Sequence, residues 1–296
     1  MGIDVAHYHG WQGELESPWW SSLALVRVAV LQVFRRRVYW FALALGLLNF
    51  LIFWSIIYAT TQLPIPPEAR GELLDRFDFS TQPEIAKDSG YVKFMEGQSL
   101  IVMILLAFSG SLLVGADFRT RALPFYLSRR IDRVHYIAGK LLAVSALVAL
   151  LTAVPAFVLF IEYGMFTTSF DYWIDNWAIA LSILSYGLVL CAVLSIWIVT
   201  LSAYLQTIAP IAITWSCLFV LLSGISGAIR RTTENRYWEL LDPWRDIRYV
   251  GRLIFGGFEQ DMDRELAVWA AWLVGGICAA CLVLLIRRVR AVDVVE

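Results

Sequence analysis

The sequence predicts an all-α integral membrane protein with six transmembrane helices, and three observations carry that prediction. Of its 296 residues, 59% are hydrophobic and 17% charged, with a mean hydropathy of +0.66. A water-soluble domain holds roughly 45–50% apolar and about 25% charged residues. The apolar residues are also clustered, because the windows 39–60, 97–116, 141–161, 177–203, 208–229 and 266–286 hold almost no ionisable side chain. Each window exceeds or matches the roughly 20 helical residues that cross a hydrocarbon core of about 30 Å. The stretches between them are too short for a large soluble domain, so 1–296 reads as one multi-pass transmembrane domain.

Charge next to the spans sets the orientation. Arg27 and Arg35–Arg37 precede span 1, Arg119, Arg121, Arg129, Arg130, Arg133 and Lys140 follow span 2, and Arg287, Arg288 and Arg290 follow span 6. Six spans put all of these on one side, which predicts that both termini and the 117–140 connection are cytoplasmic. The 230–265 connection disagrees. It is external by parity, yet it carries seven arginines, Arg230 and Arg231 directly at a span end, together with eight acids. The first 26 residues contain Asp4, Glu14 and Glu16 and no Lys or Arg, the reverse of a cleavable signal. Span 1 therefore reads as an uncleaved anchor. A formal net charge of −1 predicts no nucleic-acid partner.

The elements follow in order. Over 17–37, Ser17-Pro18 reads as a cap followed by Pro at the first helical position. Leu23, Val26, Val30, Val33 and Phe34 then recur at helical spacing between arginines. This predicts an amphipathic helix lying along the inner interface, with a cytoplasmic extension of span 1 as the alternative. Pro155 in span 3 and Pro210 at the start of span 5 predict a kink or an end. Ser182, Ser185, Tyr186, Ser195, Thr200 and Ser202 make span 4 rich in hydroxyls, which either line a path or bond to backbone. Small residues at Ser109–Ser111 and Gly115, Ser223, Gly224, Gly227 and Ala228, and Gly275, Gly276 and Ala280 allow close helix approach, within the chain or at a dimer seam. Between spans 5 and 6, Asp242-Pro243 caps and Gly256-Gly257 stops another helix. There Ile247, Val250, Ile254 and Phe255 oppose Arg245, Arg248 and Arg252, which predicts an interfacial or re-entrant element with its arginines on lipid phosphates.

Several chemistries are missing from this pattern. Buried ionisable groups in a bilayer cost a few kcal/mol and mark proton paths and voltage sensors. The six windows contain none, with Glu96, Asp117 and Glu162 read at span edges. His7, His9 and His135 lie in segments read as cytoplasmic, so no serine–histidine or metal–histidine site is predicted within the membrane, and Cys278-x-x-Cys281 reads as packing residues. There is no G-x-x-x-x-G-K-[ST] phosphate loop. No catalytic, cofactor-binding or metal-ligating residue is predicted in this chain.

The 117–140 connection is far longer than a helical hairpin requires. Phe125, Tyr126, Leu127, Ile131, Val134 and Tyr136 make it too apolar for a solvated tether, and with Arg129, Arg130, Asp132 and Arg133 it suits a docking surface for a soluble partner. A basic inner loop with its aromatics on lipid is the alternative.

At this segment the sequence resembles the ABC-2 family of ATP-binding-cassette permeases. The matching residues are Leu127, Ser128, Arg129, Arg133, Tyr136, Ile137, Gly139 and Lys140, running straight into span 3. Phe118–Ala122 replaces the acid and Gly-Thr step usual in that family, and Pro124 comes earlier. Within the family the chain looks most like the permeases grouped with copper-enzyme maturation. The resemblance implies an exporter subunit in the cell membrane, paired with a second permease copy as a homodimer or heterodimer. A separate ATPase pair would bind ATP and Mg. It makes 117–140 the coupling segment, with Arg119, Arg121, Arg129, Arg130, Asp132 and Arg133 as polar docking contacts and Phe125, Tyr126 and Leu127 as the buried anchor. Gly139 would permit the sharp turn into span 3, and Tyr136 and Lys140 would anchor that turn at the headgroups. A scaffold or sensor using the same ATPase without transport is the competing reading.

Overall fold

A computed structural model describes residues 18–77, 79, 90–110, 115–120, 132–167, 171–256 and 261–290, nearly all helical and with no strand among them. Six helices are long and apolar enough to cross a membrane: Arg37–Gln62, Gly90–Gly110, Arg133–Phe166, Trp177–Leu205, Ile208–Thr233 and Asp261–Val289. Each contains or overlaps one of the six windows. Helices satisfy their own backbone groups, which is what a segment in hydrocarbon requires.

Helix α1 (Pro18–Phe34) turns its Ala29 and Val33 inward and packs on α6 (Arg133–Leu151), the first part of span 3. Leu23, read in the same apolar face, is exposed with Val28 and Leu31. The chain breaks before α2 (Arg37–Gln62), because Arg36 is extended at φ −97°, ψ 135°. Trp40 Nε1 spans this corner by donating to the Phe34 carbonyl at 2.9 Å. The N-terminal helix is thus a separate element and not an extension of span 1. Ser17, its expected cap, lies outside the described residues.

After α3 (Pro67–Arg76), helix α4 (Gly90–Gly110) begins earlier than the apolar window and takes Lys93 and Glu96 into its first two turns. Span 3 likewise ends at Phe166 and encloses Glu162. The expectation of spans free of ionisable groups is corrected accordingly, as is that of His135 outside the spans, since span 3 begins at Arg133 and takes it into its first turn. Charges within about two turns of a helix end can be met by neighbouring groups at little cost, as Lys93 is by the Phe77 ring 5.7 Å away. The middle of each span is uncharged, as read.

Span 3 is two helices. Helix α6 ends at Leu151, and α7 (Ala153–Phe166) follows Thr152, whose φ and ψ are −115° and −73°. The cause is Pro155, which offers no N–H to Leu151 and whose ring crowds that carbonyl. After the short α8 (Asp171–Asp175), helix α9 (Trp177–Leu205) forms the centre of the bundle, touching α4, α6 and α7 as well as spans 5 and 6. Gly187 makes this possible, since a Cβ there would sit 2.6 Å from that of Ala153. Gln206 closes α9 in the left-handed region at φ +59°, and Pro210 falls in the first turn of α10 (Ile208–Ser216), where its missing donor is harmless. Span 5 continues through a π turn at Cys217–Leu221 into α11 (Leu222–Thr233).

Spans 2 and 3 are the most enclosed, whereas spans 1, 5 and 6 are mostly open on the outside of the bundle. Their outward residues, such as Ile213, Val220 and Trp272, are apolar, as lipid contact demands. One end of the core is aromatic. Phe53 meets Phe77 and Phe94 at 5.4 Å, and Phe79 meets Tyr91 at 5.1 Å, all edge to face.

Candidate functional site

The segment singled out by sequence is fastened at both ends to itself. Helix α5 (Ala116–Arg119) carries Asp117 in its first turn, at the end of span 2. Across from it, α6 presents Tyr136 and Lys140, four residues apart and therefore on one face. Lys140 Nζ lies 2.7 Å from Asp117 Oδ2, and the Tyr136 hydroxyl donates to the same oxygen at 2.9 Å. The Lys140 ammonium also lies 5.7 Å from the Tyr136 ring centroid, within cation–π range. Only 9% of the Lys140 side chain and 15% of that of Asp117 is exposed, so water screens this pair far less than a surface ion pair.

Two expectations change here. Tyr136 and Lys140 are not turned to the headgroups but inward, onto Asp117, because a nearby carboxylate offers a stronger partner than water at the rim. Gly139 is a buried helical residue of α6, and the chain turns before it, at Asp132, whose backbone is extended at φ −72°, ψ 164°. Of the docking candidates, Arg119 and Asp132 are exposed and Arg133 is half-buried at the start of α6. Asp132 Oδ2 lies 3.9 Å from His135 Nδ1. Arg121, Phe125, Tyr126, Leu127, Arg129 and Arg130 lie outside the described residues. Asp117 was missed as a site residue, although an acid closing one span and Tyr-x-x-x-Lys opening the next gave the signal.

At the other end of the bundle, the arginine-rich connection folds as α12 (Pro243–Phe255), preceded by a 3-10 helix at Arg236–Leu241. Asp242 caps α12 by accepting from the Trp244 and Arg245 N–H groups at 3.0 and 3.3 Å. Gly256 ends it at φ +76°, a backbone conformation that suits glycine. Helix α12 packs on α9 and on α13 (Asp261–Arg290). The Ser182 hydroxyl donates to the Ile254 carbonyl, and Gly251 lies against the Tyr186 ring, which a Cβ would approach to 2.5 Å.

The predicted apolar face is confirmed by the burial of Ile247 and Val250. The opposite face differs from expectation, since no residue from Asp242 to Phe255 is exposed. Arg245 of this face, with Arg230 and Arg236 from the preceding segment, converges on a buried glutamate. Arg230 Nε and Arg245 Nη1 lie 2.8 and 3.3 Å from the Glu239 carboxylate, and the Tyr249 hydroxyl donates to it at 2.5 Å. Arg236 reaches Asp263 of α13. Several of the arginines that oppose the charge rule are therefore paired within the fold, where they no longer act as free cations beside a span. Burial and the bond to Glu239 push the Tyr249 hydroxyl up to about 12. Burial and the neighbouring Asp242 push Asp246 up to about 8, and neither of its oxygens has a hydrogen-bond partner.

Of the span 4 hydroxyls, Ser182, Ser195 and Thr200 serve the backbone, whereas those of Tyr186 and Ser202 are buried without a hydrogen-bond partner. Ser195 donates to Ala192, Thr200 to the Cys281 carbonyl and Tyr204 to the Leu284 carbonyl, which ties α9 to α13. An apolar cavity of about 620 Å³ opens between spans 4, 5 and 6, lined in part by Trp197, Thr200 and Cys281, with Cys217 and Leu221 of the π turn beside them. Cys278 and Cys281 are free thiols packed against the core.

Fold and surface together define a multi-pass helical membrane protein. Comparison with protein-family models and with curated proteins finds no match to this sequence.

Proposed function

We propose that this chain is the permease subunit of an ATP-driven exporter of the ABC-2 type in the cell membrane. In this reading it acts with a second permease copy and with separate ATPase subunits that bind ATP and Mg. The observation that carries the proposal is the Asp117–Lys140–Tyr136 clamp. It ties the two ends of the coupling segment together, so a push on that segment reaches the end of span 2 and the start of span 3 as one displacement. An ATPase can bias the spans only through contacts that differ between its open and closed states, and exposed Arg119 and Asp132 flank the clamp where such contacts form. Both termini and the 117–140 segment are cytoplasmic in this reading, α1 lies along the inner interface, and α12 is interfacial at the outer side. Gly224 and Gly227 of span 5, with no atom within 4 Å of an added Cβ, leave room for the second copy.

Charge reversal at Arg129 and Arg133 tests the proposal. The expected result is loss of co-purification with an ATPase, or ATP hydrolysis no longer coupled to substrate movement. Unchanged association and activity overturn it. Lost assembly of a partner with wild-type flux in a deletion strain assigns the chain to the scaffold reading instead.

A further inference from the structure

We infer that the cavity between the end of span 5 and α12 is a binding site for a phosphate-type oxyanion, either free phosphate or the phosphate of a lipid headgroup. This holds whichever partner drives the chain. The cavity, about 220 Å³, is lined by Arg230, Arg236, Arg245, Arg248 and Arg252, with Glu239 and Tyr249. Drug-sized ligands fill pockets of roughly 300–1,000 Å³, so the space suits a phosphate group and a few attached atoms.

Three features make it a built site. First, the arginines come from three consecutive elements and are aimed by structure. Arg245, Arg248 and Arg252 follow helical spacing on α12, Arg236 is fixed by Asp263, and Arg230 by Glu239. Second, the lining itself is predominantly positive. Glu239 is the sole acid in the lining, Asp242 approaches Arg245 at 3.8 Å, Asp263 holds Arg236, and Glu96 lies near Tyr186, as Arg248 and Arg252 do. Asp246 also lies within electrostatic reach of Arg245 but hydrogen-bonds none of these groups, so the lining itself sets five guanidinium groups against one carboxylate. Third, donors are left over. A guanidinium carries five N–H groups in a planar fork that matches phosphate oxygens. Here the Arg248 Nε is buried with no acceptor, its guanidinium resting 5.7 Å from the Trp244 ring. A buried donor without a partner costs free energy, and an oxyanion seated among these groups supplies the acceptors. Glu239 keeps Arg230 and Arg245 from flying apart before the anion arrives. It cannot serve them all.

The test uses the full chain, purified in a neutral detergent and reconstituted in nanodiscs. Thermal stability is followed against inorganic phosphate, with chloride at matched ionic strength, and against nanodiscs of phosphatidylglycerol or phosphatidylcholine. Native mass spectrometry records any retained phospholipid. Phosphate is expected to raise the unfolding midpoint where chloride does not, and Arg248→Gln to weaken that binding at least tenfold. Arg248→Lys should fall between, and Arg27→Gln, at an exposed position of α1, should match the wild type. A retained anionic phospholipid lost in Arg248→Gln identifies a lipid headgroup. A phosphate response without retained lipid identifies the free anion. Equal responses of the wild type to phosphate and chloride, with no preference for phosphatidylglycerol, overturn the inference, and that comparison stands even if Arg248→Gln fails to fold.

Discussion

Lys140 and Asp117, from opposite ends of one connection, meet at 2.7 Å with Tyr136 donating to the same carboxylate oxygen. Removing either charge strands the other in a mostly dry site. Lys140→Met is expected to cost about 2–4 kcal/mol, somewhat less than full burial would give. The midpoint of thermal unfolding in detergent measures this. Asp117→Asn together with Lys140→Met should lose less than the two single changes summed, since neither charge is then left alone. Wild-type stability in both single variants would falsify the clamp.

Arg119 and Asp132 flank the clamp but are exposed, so their roles separate from stability. Arg119→Glu and Asp132→Arg should leave the unfolding midpoint within about 0.5 kcal/mol of wild type. The same changes should weaken ATPase co-purification if the proposed function is right. A large fall in the unfolding midpoint would show that these side chains serve the fold.

Asp246 predicts a pH dependence. In the unfolded chain its carboxyl ionises near pH 4, whereas in the fold it holds its proton to about pH 8. Between those values the folded state binds more protons, so this group lowers stability as pH rises from about 4 to about 8 and adds no slope beyond. Asp246→Asn should flatten that slope and raise stability at pH 8, read from unfolding midpoints across the range. An unchanged pH profile would show that the carboxylate is solvated.

The glycines divide into two groups. Gly187→Ala forces a methyl to within 2.6 Å of Ala153 and should cost about 1–3 kcal/mol. Gly275→Ala meets nothing within 4 Å and should gain up to about 1 kcal/mol from helix propensity. Chemical unfolding of the two variants distinguishes them. A loss at Gly275 would instead locate a contact with a second copy.

The spans were legible because twenty apolar residues in a row admit little besides a helix in a bilayer. Helix α12 was legible to the residue from Asp242-Pro243 and Gly256, since capping chemistry is local. What the sequence hid was pairing. Nothing in the spacing of Arg230, Arg236 and Arg245 says that they share Glu239, because that meeting depends on how the 3-10 helix folds back beside α12. For the same reason Lys140 read as a headgroup anchor, when the carboxylate it meets belongs to a different helix. Span boundaries slipped where charged residues extend a helix beyond its apolar stretch, as Lys93 and Glu96 do.

The interruption at Thr152 divides span 3 into two rigid rods joined by a single residue. Bending concentrates at such a joint, so any tilt of the rod bearing Lys140 would be taken up there, while the rod beyond Pro155 is seated among the aromatic rings. The third crossing is jointed like an elbow, with its upper arm held by the Asp117 carboxylate and its forearm packed on aromatic rings.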